Sequence, residues 1–255
     1  MGTMKSTPLL FAALVAAVAP AATPASASAK IVELGQTSTP LAAPACPKGV
    51  APSQCFIILT RTTAVQATSD GVVNPTRVRQ AGWIVAFSVG LSNLSSQPKT
   101  EHSYLHTLDQ AYGGTPQMML TVLRPGPSNT YTVAAQSGTY HLIPFLGGVL
   151  QQPLSLPPKF SAMTALRVDP GDVVGITVPT WAPVLTYNLS ASKFVYRQSR
   201  AANCKNAAAG NTAQTKVGAS ARYLCSYTGT RVEYTATEIV NTPYPAKYVH
   251  ARAGG

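Results

Sequence analysis

Apolar and polar residues alternate with a period of two over long parts of this chain. The clearest run is GWIVAFSVGL at 82–91, where every second residue from Trp83 to Leu91 is apolar. Because successive side chains of a β-strand point to opposite faces, this alternation predicts a strand with one face in a core. Similar runs predict strands at 55–66, 117–124, 130–136, 164–168, 172–178, 184–190, 221–227 and 230–240, with shorter ones at 139–143 and 152–156.

One segment departs from this period. Within residues 98–114, Leu105, Leu108 and Tyr112 have the spacing of one helix face, and two glycines follow where a helix would end. We therefore predict one short helix that crosses one end of the strands. The fold class that we predict is all-β, a two-sheet antiparallel β-sandwich of jelly-roll type, with an up-and-down barrel as the alternative.

The N-terminus has the three parts of a secretory signal peptide. Lys5 supplies a positive charge, residues 9–19 are apolar, and residues 27–29 form an A-x-A-type cleavage site. The apolar run of about eleven residues is too short for a membrane span, which takes about 20 residues. We predict export, with cleavage near Ala29 and a secreted or cell-wall-associated product.

We divide the chain into four parts. Residues 1–29 are the predicted signal peptide, and residues 30–45, rich in Ala, Pro, Ser and Thr, are a predicted extended leader. Residues 46–240 are predicted to form a single β-sandwich domain, because the predicted strands fall within them. Residues 241–255 are basic and rich in Pro and Tyr, and we predict a flexible tail there.

The four cysteines all follow the predicted cleavage site. Disulfides form and persist in the oxidising environment that an exported protein meets. Of the three connectivities that four cysteines allow, we favour Cys46–Cys55 and Cys204–Cys225. Each bridge would stabilise the fold by about 2–3 kcal/mol through restriction of the unfolded chain. The alternative, a zinc site, needs closer cysteine spacing and neighbouring histidines.

The stretch DPGD at 169–172 holds two acidic residues in sequence proximity. Pro at the second position and Gly at the third favour a type II turn, in which Asp169 and Asp172 would accept backbone N–H groups. A catalytic carboxylate pair and a calcium site are the alternatives. Calcium takes about six or more oxygen ligands, and only these two carboxylates are close in sequence. Pro179 is predicted to end the strand that follows this turn, which leaves Trp181 in a loop. Its ring is then either packed against the strand below it or available to stack on a sugar ring.

Several blocks of the chain occur in an order that resembles a known group of proteins. The blocks are GWIVAFSVGL, LDQAYGGTPQMMLTVLR, YHLIPFLGG, GDVVGITVPTWAP, SRAANC and CSYTGTRVEYTAT. Together they resemble exported proteins of actinomycete-type bacteria that share a GD-x-V-x-x-x-VPTWAP core and a late cysteine pair. The resemblance covers roughly residues 46–238. It implies secretion and a β-sandwich, and it implies no activity and no catalytic residue.

Signatures of catalysis are weak. The chain has no G-x-S-x-G elbow. SQPK at 96–99 matches S-x-x-K by letters, but it lacks the companion elements and carries Pro where a helix is needed. His102 and His106 would share a helix face with Asp109 one turn further on. Without the H-E-x-x-H pattern they are predicted to be solvated rather than metal ligands, and we predict no catalytic residue, metal or cofactor.

The most unusual feature is the distribution of charge. The formal net charge is +11, and no acidic residue lies between Asp172 and Glu233. Much of this span is predicted to be a long loop tied by the second disulfide, either simply solvated or forming a positive surface that attracts polyanions. Nucleic acid is the weaker candidate partner, because no reader motif is present. The basic residues of the span are Lys193, Arg197, Arg200, Lys205, Lys216, Arg222 and Arg231.

These features favour an exported, non-enzymatic β-sandwich protein that binds a cell-wall or extracellular anionic polymer or glycan. A secreted glycan hydrolase or lyase is the second hypothesis, because jelly-roll scaffolds support both binding and catalysis. It would use Asp169 and Asp172 or the two histidines. A structural module of the cell envelope is the third. The candidate binding residues are Trp181, Tyr187, Tyr112, Lys193, Arg197, Arg200, Lys205 and Arg222.

Overall fold

The computed structural model describes residues 29–41, 57–154, 165–204 and 212–240, together with residues 2 and 43. Over these ranges the chain is all-β: two antiparallel sheets form a sandwich of jelly-roll type, with one α-helix and one disulfide. No helix within them has the length and apolar character that a membrane crossing requires. Most of the predicted signal peptide, the predicted tail, and Cys46 and Cys55 lie outside the described residues.

The smaller sheet has five strands. Its path runs β1 (Lys30–Leu34), β16 (Tyr234–Val240), β4 (Gly82–Gly90) and β8 (Val149–Pro153), and β9 (Leu166–Val168) also pairs with β4. β1 is antiparallel to β16 over its full length, with Leu34 buried in the core. The predicted leader at 30–45 therefore begins with a strand of this sheet, because that strand has a pairing partner and an apolar inner face.

The larger sheet has nine strands and includes most of the predicted runs. The main path is β13 (Ser220–Arg222), β6 (Thr130–Gln136), β5 (Gln117–Pro125), β10 (Val173–Ala182), β2 (Leu59–Ser69), β12 (Val195–Gln198) and β14 (Cys225–Thr228). β3 (Val72–Val73) also pairs with β2, and β7 (Tyr140–His141) pairs with β5. A separate ladder joins β11 (Leu185–Thr186) to β15 (Arg231–Val232). β12 was not predicted.

The larger sheet curls back on itself. Its two terminal strands, β13 and β14, are separated in the chain only by Tyr223 and Leu224. This short stretch therefore crosses from one end of the sheet to the other. Tyr223 is fully buried in a cluster with Val65, Val133 and other residues of the sheet, so the crossing segment covers the face that the curl encloses.

Both faces of the larger sheet are buried. One face packs on the smaller sheet and supplies Ala64, Val174 and Ile176 to the main core. The other face carries Val65 and Val173, which belong to the cluster under the crossing segment. Strands buried on both faces read as continuous apolar runs rather than alternating ones. This accounts for the apolar run at 173–176, which has no polar residue on either face.

A row of hydroxyl groups lies on the enclosed face. Thr177 Oγ1 in β10 is 2.9 Å from Thr63 Oγ1 in β2 and 2.7 Å from Thr121 Oγ1 in β5. Gln214, which lies within the span that we predicted to be a long loop, binds this row: its backbone N–H donates to Thr63 Oγ1 at 3.0 Å. The Gln214 side chain accepts from Tyr223 Oη at 2.6 Å and donates to two backbone carbonyls. The segment around Gln214 is therefore held inside the curl, not solvated.

The second predicted disulfide is confirmed. Cys204 and Cys225 are bonded, with their Cα atoms 5.2 Å apart. Cys225 begins β14, so the bridge ties Cys204 to one edge of the larger sheet. The other predicted bridge, Cys46–Cys55, involves residues that the structure does not describe.

Two predictions about individual strands are wrong, one about where β10 ends and one about which residues of β4 share a face. β10 continues through Pro179 to Ala182, where we predicted an end. Pairing with β5 stops at Thr177, and the register with β2 shifts between Val178 and Trp181. A proline is tolerated at such an irregularity because no ladder N–H is needed there. In β4, a register shift opposite Glu238 breaks the predicted single face of alternation.

The predicted helix is confirmed as α1 (Pro98–Tyr112). Proline suits the first helical turn, where its missing N–H removes no hydrogen bond. Gly113 ends the helix in the left-handed region, with φ 83°, and its N–H donates to Asp109 O at 3.1 Å. Leu105, Leu108 and Tyr112 pack against a small cluster that contains Trp181, which is the helix face that the spacing predicts.

Candidate functional site

The predicted turn at 169–172 is confirmed. Asp172 N–H donates to Asp169 O at 3.1 Å, and Asp169 N–H donates to Asp172 Oδ2 at 3.0 Å. Gly171 has φ +95°, which the third position of a type II turn requires. The Asp172 carboxylate therefore holds the turn as predicted, whereas the Asp169 carboxylate, which we also predicted to accept a backbone N–H, instead accepts from Arg124 and Arg167.

The guanidinium group of Arg124 forms ion pairs with the same two carboxylates. Its Nε lies 3.2 Å from Asp172 Oδ1, and its Nη2 lies 3.2 Å from Asp169 Oδ2. The hydrogen bond to Asp172, followed by its charge, raises the pKa of Arg124 above its ordinary value. Arg167 adds a contact to Asp169 at 3.4 Å. Because both carboxylates are engaged by guanidinium groups, this geometry does not favour them as an acid–base pair.

The histidine pair does not form a ligand set with Asp109. His102 and His106 are exposed on α1, whereas Asp109 Oδ1 accepts a hydrogen bond from Trp181 Nε1 at 2.9 Å. Asp109 therefore faces the protein and the histidines face solvent. Among the described residues, no group of three or more His, Cys, Asp or Glu side chains is close enough to hold a metal ion.

Trp181 is not a surface platform, which corrects its assignment as a candidate binding residue. Its exposed fraction is 0%, and its indole N–H is shared between Asp109 and the carbonyl of Gly114 at 3.1 Å. Tyr112 and Tyr187 pack against the same small cluster and are half-buried. Burial raises the pKa of Tyr187 to about 12. These three aromatic residues anchor α1 to the sandwich rather than form an open binding face.

The predicted basic residues separate into buried and exposed groups. Arg200 is 1% exposed, and its Nη1 donates to Asn203 O at 3.2 Å, so it is corrected from a surface residue to a structural one. Arg231 is also buried, with its Nε 3.6 Å from Glu233 Oε2. Lys193 and Arg222 are exposed and Arg197 is half-buried. Lys205 lies outside the described residues.

A pocket of about 390 Å³ lies at one end of the curled sheet, and we call it the mouth pocket. Strands from both sides of the curl line it, because β2 ends there while β6, β10 and β12 begin there. Mouths of curled or closed sheets are common ligand sites. The polar side chains that line the mouth pocket include Gln66, Thr68, Asn74, Asn129, Tyr131 and Arg197.

Arg197 is the charged residue of the mouth pocket. Its Nη1 donates to Asn129 Oδ1 at 2.9 Å, and no described residue engages its other guanidinium N–H groups. A guanidinium carries five N–H donors, so most of its donors remain for a ligand. No acidic side chain belongs to the lining. The pocket is therefore suited to an anionic or strongly hydrogen-bond-accepting group.

The floor and walls of the mouth pocket are fixed by turns and an aromatic pair. Asn74 and Asn129 have φ values of 50° and 57°, a left-handed conformation that asparagine tolerates better than most residues. Tyr131 packs on Tyr223, with ring centroids 4.6 Å apart. The aromatic ring of Tyr131 thus forms a firm apolar surface beside Arg197.

Two further arginines have backbone positions next to the lining of the mouth pocket. The backbone of Arg77 bridges to Val173, a lining residue, and Arg222 lies opposite Thr130 at the start of β6. Neither makes an ion pair with a described residue. Lys193 contacts Asp70 at 3.9 Å, so its charge is partly balanced. This end of the larger sheet therefore offers positive charge to solvent.

Sequence reasoning identified Arg197, Lys193 and Arg222 but missed the neutral part of the site. Asn74, Asn129 and Tyr131 carry no motif, and the curl that brings them beside Arg197 has no local sequence pattern. The available signal was weak: both asparagines follow turn-rich stretches, where left-handed residues are common.

Comparison of the chain with models of known families, with curated proteins and with solved structures finds no match.

Proposed function

We propose that this chain is an exported, non-catalytic β-sandwich protein that binds an anionic polymer or glycan of the cell wall or extracellular space. The proposal places the ligand's anionic group in the mouth pocket. The observation that carries it is the pairing of a largely free guanidinium, Arg197, with amide and aromatic side chains in a pocket without acids. The signal-like residues 1–29 and the Cys204–Cys225 disulfide support export.

The chemistry of Arg197 supports an oxyanion as the bound group. A guanidinium binds carboxylate or phosphate through two parallel N–H···O bonds, which are stronger than bonds between neutral groups. Asn129 holds one Nη of Arg197 and so orients the fork. The amide groups of Asn74 and Asn129 are suited to hydroxyl groups beside the anion, and Tyr131 to the flat side of a sugar ring.

The size of the pocket and the surrounding charge support a polymer rather than an isolated small ion. A volume of about 390 Å³ falls at the small end of typical ligand sites, so it accepts one unit of a chain. Arg77 and Arg222 would attract neighbouring anionic units, because charges act over about 8–10 Å at physiological salt. Both residues are exposed.

Binding of defined oligomers tests the proposal. The probes are a glycerol phosphate oligomer and a galacturonate oligomer, which separate phosphate from carboxylate polymers, with neutral maltohexaose for comparison. We expect saturable binding of at least one anionic probe, and we expect it to weaken steeply as salt increases. Absence of binding to both anionic probes, or binding that is indifferent to salt, would contradict the proposal.

A pair of charge-matched variants locates the site. Arg197→Gln removes the fork and is expected to weaken binding by about tenfold or more. Lys99→Gln removes the same charge from the exposed surface of α1 and is expected to leave affinity nearly unchanged. Equal losses in the two variants would show that net charge, and not the mouth pocket, accounts for binding.

A further inference from the structure

The solvent face of the smaller sheet carries a second polar cavity, which we call the sheet groove. Thr235 in β16 lies directly opposite Ser88 in β4, and Ser88 lies directly opposite Gln151 in β8. Their inward neighbours, including Leu150, are in the core, so these three side chains form one outward row. The groove above them has a volume of about 540 Å³.

One wall of the sheet groove is the chain that follows β1. Residues 36–41 contribute Gln36, Thr37 and Thr39 to the lining. Arg231 holds this wall from the protein side: its Nη1 donates to Thr39 O at 3.1 Å and to Pro40 O at 3.3 Å. Arg231 therefore ties residues 39 and 40 of this wall to the body of the fold.

The charge of the sheet groove is opposite to that of the mouth pocket. Glu33 in β1 is exposed, lines the groove and makes no ion pair with a described residue. The charge of Arg231 is balanced by Glu233, whose Oε2 lies 3.6 Å from its Nε. The free charge of the groove is therefore the carboxylate of Glu33, beside a floor of hydroxyl and amide groups.

We propose that the sheet groove binds a saccharide that carries an ammonium group, with the ammonium on Glu33 and the sugar hydroxyls on the Thr235–Ser88–Gln151 row. Hydroxyl and amide side chains both donate and accept hydrogen bonds, as sugar hydroxyls do. A carboxylate gives a hydrogen bond to an ammonium that is stronger than a neutral one. This site is independent of the mouth pocket, since its residues lie on the other sheet.

Titration of the intact protein with three tetrasaccharides tests the assignment. The probes are tetraglucosamine, its N-acetylated form and tetragalacturonate. The N-acetylated form keeps every hydroxyl but lacks the ammonium groups, and tetragalacturonate carries carboxylates in place of ammonium groups. We expect tetraglucosamine to bind, and the N-acetylated form to bind at least about tenfold more weakly. Equal affinity for these two probes, or no saturable binding of tetraglucosamine, would overturn the proposal.

Two variants place the ligand in the sheet groove. Glu33→Gln and Gln151→Ala change exposed side chains and are each expected to weaken tetraglucosamine binding by about fivefold to tenfold. Gln110→Ala, an exposed glutamine of α1, is the matched control, and Arg197→Gln reports on the mouth pocket. Unchanged affinity in both groove variants, with an unchanged thermal midpoint, would overturn the proposal. Loss of tetraglucosamine binding through Arg197→Gln would place the probe at the other site.

Discussion

Arg197 Nη1 lies 2.9 Å from Asn129 Oδ1, although three strands separate their positions in the larger sheet. This contact is possible only because the sheet curls. It joins β12 to the turn before β6 and closes one side of the mouth pocket. The orientation of the one guanidinium in that pocket therefore depends on the overall curvature and not on a local motif.

Replacement of Asn129 by Asp should abolish the anion site without unfolding the protein. The new carboxylate would pair with Arg197 and compete with any bound anion, so we expect at least about a tenfold loss of affinity for the anionic oligomer. The ion pair is partly solvated, so stability should change by less than about 1 kcal/mol. Binding measurements and chemical denaturation check both parts.

Asn129→Gly is the control for this substitution. Glycine accepts the φ of 57° found at this position and leaves the Arg197 charge free, so this variant should lose clearly less affinity for the anion than Asn129→Asp. Wild-type affinity in Asn129→Asp would show that Arg197 does not contact the ligand.

Gln214 should contribute strongly to stability. Its exposed fraction is 1%, and its side chain is bonded to Tyr223 Oη and to the carbonyls of Tyr131 and Ala219. Gln214→Ala would leave these buried groups without partners, so we expect a loss of about 2–4 kcal/mol in the free energy of unfolding. Urea denaturation measures it.

The exposed Gln110→Ala substitution on α1 gives the reference for this experiment, with an expected change within about 0.5 kcal/mol. If the two alanine variants were equally stable, the segment around Gln214 would not be held inside the curl.

Glu238 should make the protein less stable above neutral pH than below it. It is 1% exposed, its Oε1 has no hydrogen-bond partner among the described residues, and burial raises its pKa to about 7. In the unfolded chain the pKa of glutamate is about 4.3. Between these values the folded protein keeps a proton that the unfolded chain has lost. The contribution to stability is therefore present below about pH 4.3 and is lost as pH rises to about 7, by on the order of 3 kcal/mol.

Glu238→Gln removes this titration and should flatten the dependence of stability on pH between 5 and 8, with the variant more stable than wild type at pH 8. Thermal or chemical unfolding at the two pH values measures the slope. Glu33→Gln, at an exposed position, should keep the wild-type slope. A wild-type slope in Glu238→Gln would rule out Glu238 as its cause.

The period-two pattern predicted most strands because a single buried face leaves a direct mark on a sequence. The helix was also predictable, since Leu105, Leu108 and Tyr112 all pack on one cluster. β12 was missed, although Phe194 and Tyr196 alternate with half-buried residues. The strand has only four residues, and its inner face ends in the polar side chain of Gln198.

The candidate sites were predictable only in part. The exposed charge of Arg197 and Arg222 follows from the acid-free span, but burial of Arg200 and Arg231 does not. Arg231 is held by the carbonyl of Thr39, 192 residues away in the chain, whereas Arg200 bonds to the nearby carbonyl of Asn203. The burial of Trp181 depends on Asp109, 72 residues away in the chain. Such pairings leave no periodic signal.

The two-residue link between β13 and β14 also affects how the molecule comes apart. An open sheet can lose strands one at a time from either margin. Here both margins belong to one continuous stretch, and the Cys204–Cys225 bridge is attached to it. A margin strand that detaches therefore pulls on the other margin through this two-residue link, so the curl and the mouth pocket are lost together rather than strand by strand.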